Sequence, residues 1–92
     1  AKRGRLLALR DEQGRLRFPA FQFTRSGRPL PALPTILEIF TPAEVSPYTV
    51  ASWFVTSQSL LSDTTPAQWL AEGHDPGLAI EAARRTAARL AQ

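Results

Sequence analysis

The chain has 92 residues, no cysteine, eight prolines and a formal net charge of +3. This length supports one domain around one modest core, and the missing thiols exclude a disulfide framework or a cysteine-based zinc site. No apolar run approaches the about 20 residues of a membrane-crossing helix, so no membrane contact and a cytoplasmic location are expected.

The charge is unevenly spread. Residues 1–28 hold eight of the eleven basic residues and two of the eight acidic ones, a balance of +6, and residues 29–92 come to −3. A basic head on an acidic body points to an anionic partner at the N-terminal end, nucleic acid first. Lys2, Arg3, Arg5, Arg15 and Arg17 are the candidate phosphate contacts. The chain starts on Ala1 with basic residues at once, which reads as a trimmed fragment.

In chain order, GRLLALRDEQGRLRF reads as a β-hairpin, with Leu6–Leu9 and Arg15–Phe18 extended. Asp11 favours the start of the turn, and Gly14 can take its left-handed position. Leu16 and Phe18 alternate with Arg15 and Arg17, which predicts one apolar and one cationic face. Pro19 marks a bulge or edge, and beyond it Phe21 and Phe23 resume the apolar alternation with Gln22 between them.

The period then turns helical. Leu33, Ile36, Leu37 and Phe40 fall on one helix face. Ser46 and Pro47 open a second helix carrying Val50, Trp53 and Phe54. Thr65 and Pro66 open a third, with Gln68 placed for a capping box and Gly73 as its stop. Asp75 and Pro76 open the last, in which Glu81 and Arg85 form an i, i+4 pair. The expected fold is mainly α, an N-terminal β-hairpin packed on a small bundle of about four short helices. Residues 1–28 are the basic, wing-like hairpin and its loop, and residues 29–92 are the helical domain.

Catalytic groups are scarce. His74 is the single histidine, the helix-opening Ser46 and Thr65 are accounted for as caps, and no glycine-rich phosphate loop occurs. The chain is therefore read as no enzyme, with no cofactor and no metal. The phenylalanines at 18, 21 and 23 either stack bases beside the arginines or cover one end of the helical body. Trp53 and Trp69 read as core-facing, with an outer side available to an interface. The final helix is rich in alanine, and Arg84, Arg85 and Arg89 crowd one stretch of it. It suits either docking by the alanine face or service as an arm whose arginines meet carboxylates or phosphates.

TPAQWLAEGHDPGLAIEAARRTAARLAQ resembles the C-terminal toxin-binding domain of Xre/MbcA/ParS-type antitoxins, with Pro66, Leu70 and Gly73 on the short-helix motif of that family. GRLLALRDEQGRLRFPAFQF is similar to a basic, wing-like hairpin that joins an upstream helix-turn-helix to this domain in one subgroup, and AKRGR looks like the tail of that unit. The resemblance implies an antitoxin that occludes the active site of a RES-domain toxin, one that consumes NAD or transfers ADP-ribose from it. It also implies a homodimer, and operator DNA bound by the full-length chain. The blocking end would lie around Arg84, Arg85, Arg89, Leu90 and Gln92, with Trp69 also in the toxin-binding set. The alternative from a different class is a DNA-binding transcriptional regulator without a toxin partner. A dimerisation domain joined by the hairpin edge is a third reading.

Overall fold

A computed structural model of the protein describes residues 6–91. Lys2, Arg3, Arg5 and Gln92 lie outside the described residues. The elements are β1 (Leu9–Arg10), β2 (Leu16–Arg17), α1 (Leu33–Phe40), α2 (Pro47–Phe54), α3 (Pro66–Ala71) and α4 (Pro76–Leu90). Single 3-10 turns occupy Ala20–Gln22 and Ser59–Leu61. The architecture is the expected hairpin on a bundle of four short helices. No helix among the described residues is long and apolar enough to cross a membrane.

The helices begin and end where local chemistry dictates. Ser46, Thr65 and Asp75 each accept a hydrogen bond from a backbone N–H in the first turn of α2, α3 and α4, and each is followed by proline. α3 closes in a Schellman motif. Gly73 sits at φ +82°, its N–H donates to the Leu70 carbonyl, and the His74 N–H donates to the Trp69 carbonyl. The capping box at Thr65 is only half formed, because the Gln68 side chain donates forward to Glu72 at 3.0 Å. That charge-assisted bond turns the amide along the helix, away from the Thr65 N–H that its Oε1 would accept from in a full box.

The predicted apolar stripes form the core. Leu33, Ile36, Leu37 and Phe40 of α1 are buried together with Val50, Trp53 and Phe54 of α2. Phe40 and Phe54 each meet Trp53 edge-on, with ring centroids 5.4 and 5.0 Å away. α4 docks through Ala79, Ala82, Ala83 and Ala87, all buried, against α1, α3 and the Ser59–Leu61 turn. Small side chains on that face leave room for a close helix–helix approach. Leu61, fully buried, anchors the turn.

The hairpin departs from the expected one. β1 and β2 are two residues each, paired Leu9 with Arg17 and Arg10 with Leu16. Residues directly opposite in an antiparallel pair point to the same face. This register therefore sets a leucine beside an arginine on both sides, and neither face is purely apolar. Leu16 and Phe18 are each 52% exposed and do not cover the helical body. Phe21 does, stacking on Phe54 at 5.3 Å. Nor does the alternation resume after Pro19. The chain folds into the Ala20–Gln22 turn, which turns Gln22 inward to 0% exposure.

Gln22 replaces a strand. Its Oε1 accepts from the Leu7 N–H at 2.8 Å and its Nε2 donates to the Leu7 carbonyl at 2.9 Å, both bonds buried. Its own carbonyl accepts from the Leu30 N–H at 2.8 Å. Leu7 can thus be buried in the helical core without a neighbouring strand to satisfy its backbone. The Tyr48 hydroxyl adds a tether by donating to the Arg10 carbonyl.

The hairpin turn is organised by Asp11. Its Oδ1 accepts from the N–H groups of Gln13 and Arg15 at 2.9 and 3.0 Å, and its Oδ2 from the Arg17 guanidinium at 2.9 Å. Gly14 supplies the left-handed residue at φ +79°. The Arg15 N–H, with Arg17 and the Gln13 N–H behind it, holds the Asp11 carboxyl below the usual aspartate range, against an opposing effect of desolvation.

Replacement Gln22→Leu fills the space but leaves a buried N–H and a buried C=O of Leu7 unpaired. It should cost about 2–4 kcal/mol in urea unfolding, and a loss under about 1 kcal/mol would show the pairing to be dispensable. Because Asp11 is more acidic folded than unfolded, its contribution to stability is complete above the ordinary aspartate pKa. It is lost as pH falls through the lowered one. A carbon-detected titration should put the Asp11 midpoint below that of an ordinary aspartate, with the Arg15 and Gln13 amides following the same curve. A midpoint at or above the ordinary value would contradict this account of the turn.

Candidate binding surface on the last helix

The residues singled out from sequence fall into three places. Pro66 and Leu70 are buried and, with the Gly73 stop, build the corner between α3 and α4. Their role here is to set the direction of the long helix. Trp69 belongs to the same corner. It is partly buried, its indole N–H donates to the Asp75 carbonyl at 2.7 Å, and its ring lies 4.7 Å from that of His74. His74 also sits 3.3 Å from Glu72 on the surface. No group of acidic or histidine side chains suited to a metal ion occurs among the described residues.

The second place is the far end of α4. At 1.5 Å per residue, Arg89 stands about 20 Å along the helix from the Trp69 corner, so the two do not form one patch. Arg84, Arg85, Arg89 and Leu90 are exposed. Arg85 pairs with Glu81 at 3.1 Å, as the i, i+4 spacing predicts. Neither Arg84 nor Arg89 has an ionic partner among the described residues.

Arg89 and Leu90 border a shallow groove of ≈ 440 Å³ between α2 and the end of α4. Tyr48, Ser52 and Trp53 of α2 line one side, and Thr86 joins Arg89 and Leu90 on the other. Thr56 and Gln58 close one end. An adjoining depression of ≈ 140 Å³ shares Gln58, Thr86 and Arg89 and adds Arg85 and the Ser59–Leu60 backbone turn. No acidic side chain lines either hollow. Arg84 borders neither, so the three arginines divide between two faces of α4.

The sequence offers only part of this groove: Trp53 reads as core-facing with an outer side open to an interface, whereas Tyr48 and Ser52 carry no such signal and Ser59–Leu61 no pattern. What bends the chain there is a pair of left-handed residues, Ser62 at φ 57° and Asp63 at φ 62°. A serine–aspartate pair before a threonine cap is the one signal that could have marked a turn.

The third place is the hairpin. Arg15 and Arg17 both face Asp11, at 3.6 and 2.9 Å, and Arg10 donates to the Gly14 carbonyl at 2.6 Å. These cations close their own turn. Arg25 and Arg28 sit on the following loop, where a hollow of ≈ 510 Å³ is bordered by Thr24, Arg25, Ser26, Gln68, Ala71 and Glu72. One cation and one carboxylate on its rim give that hollow no preferred sign of ligand.

No protein-family model, curated protein or solved structure matches this chain.

Proposed function

We propose that the chain is the toxin-binding part of an antitoxin of the Xre/MbcA/ParS type. It is a non-enzymatic inhibitor with no cofactor of its own, and it occludes the active site of a RES-domain toxin that consumes NAD or transfers ADP-ribose from it. In this reading the protein is a cytoplasmic homodimer, and an upstream helix-turn-helix in the longer chain binds the operator. The supporting observation is the way α4 is held. Its alanine face is locked into the core as far as Ala87, and the turns around and beyond it present Arg84, Arg85, Arg89 and Leu90 to solvent. A helix end with an apolar tip fills a cleft by shape, and its exposed arginines suit one with an anionic lining, anchored by apolar contacts from the two final helices.

The competing reading, a DNA-binding regulator without a toxin, has less behind it. Arg15 and Arg17 are already paired with Asp11 through Nε, which offsets part of their charge toward phosphates.

Trimming the chain after Glu81 would remove the buried Ala82, Ala83 and Ala87 and confuse folding with binding. Point substitution is the cleaner test, because the arginines are exposed. The combined variant Arg84→Ala, Arg85→Ala, Arg89→Ala should keep the helical circular dichroism of the parent. Its inhibition of a RES-domain protein encoded beside it should weaken by roughly tenfold or more, read as NAD consumption. Undiminished inhibition by the variant would remove these arginines from the interface, and absence of binding by the parent chain would reject the antitoxin reading.

A further inference from the structure

The groove between α2 and α4 differs from the rest of the surface in two independent ways. Trp53, which lines it, is 5% exposed, and its indole N–H is the one buried side-chain polar atom without a hydrogen-bond partner among the described residues. Folded proteins rarely leave such a donor unpaired without a reason. The charge around the groove also has a single sign. Arg89 stands on the shared rim of the groove and the adjoining depression, Arg85 stands on the depression, and no carboxylate lines either. Arg85 is partly satisfied by Glu81, so Arg89 carries the larger share of the free charge. A hollow of ≈ 440 Å³ is of the size that accepts a small ligand or one large side chain with its flanking backbone.

We infer that this groove is a receptor for a short acidic segment of a partner protein, which lowers a leucine side chain beside Trp53, offers a backbone carbonyl to the indole N–H and sets flanking carboxylates against Arg89 and Arg85. Ser52 and Thr86 also line the groove and add hydroxyl groups to it. The role differs from that of the α4 tip in toxin occlusion. There the helix end enters the partner, and here an acidic stretch of the partner's chain enters this protein. The groove is built on two helices packed into the core, so little ordering is needed when the segment arrives.

The test is an NMR titration of the ¹⁵N-labelled protein with an end-blocked peptide that has a central leucine between glutamates. Two control peptides replace the glutamates by glutamine or the leucine by alanine. The expected result is a set of shifts centred on the Trp53 indole N–H and the amides of Ser52, Thr56 and Thr86, with both controls binding more weakly. Arg89→Gln should weaken the acidic peptide by roughly threefold and Arg89→Glu by more, as for an exposed ion pair at an interface rim. Four results would overturn the inference. They are no shifts at millimolar peptide, equal binding of the glutamine control, the same groove resonances moving when the free protein is merely concentrated, and tighter binding of benzoate alone. The third would assign the groove to a second copy of the chain and the fourth to small aromatic acids. None of these depends on whether a RES-domain protein is inhibited, so the two readings stand or fall separately.

Discussion

The side chain of Gln22 joins the two halves of this protein. A two-residue ladder between β1 and β2 cannot hold a hairpin on a helical body, since isolated hairpins of any length are marginal in water. Leu7 must therefore be buried for the hairpin to dock, and a buried Leu7 brings a backbone N–H and C=O that need partners. An extended neighbour would normally provide both. Here one amide side chain provides them, and the same residue's carbonyl holds the Leu30 N–H at the entrance to α1. Leu7, Phe21 and Leu30 then reach the helical core from three separate segments, each oriented by the same turn. The arrangement is sensitive by construction. Two buried hydrogen bonds depend on one side chain, and no water-exposed substitute is at hand.

The helical part is bound together in a different way, by small residues. α4 has few large apolar side chains, and its Leu78 and Leu90 are substantially exposed. Its stability comes from the near approach that buried alanines permit, together with high intrinsic helix propensity. The same choice frees the opposite face. A helix that docked through leucines on a wide stripe would have fewer positions left for Arg84, Arg85, Thr86 and Arg89.

Sequence made the helices legible because their signals are local. Caps with a proline at the first position are read within one segment and located α2, α3 and α4; the apolar 3.6 period located α1 and the buried stripes of α1 and α2, while docking of α4 by its alanine face was one of two readings. The Schellman corner at Gly73 was legible for the same reason. The hairpin was legible as a turn, through Asp11 and Gly14, but not as a surface. The face on which Leu16 and Phe18 lie depends on register, and register depends on a partner strand that is hardly there. Gln22 was missed because a glutamine between phenylalanines reads as the solvent side of a strand, and only tertiary context makes it a backbone surrogate. The groove was missed for a related reason. It belongs to α2, the Ser59–Leu61 turn and α4 jointly, and no segment of the chain contains its pattern.

The end of α4 carries a tension that bears on function. Arg89 lies in the last turn, where unsatisfied carbonyls make a negative end that favours a cation. A cation there is held in place without an ion pair, so it is stable in the free protein and still available to an incoming carboxylate. Arg85, one turn earlier, is already shared with Glu81. Arg84 has no ion pair either but lies off the groove. The three arginines that look equivalent in the sequence are thus graded by their surroundings. Arg89, next to Leu90 and across from Trp53, is the one whose charge, position and apolar neighbours converge on a single place.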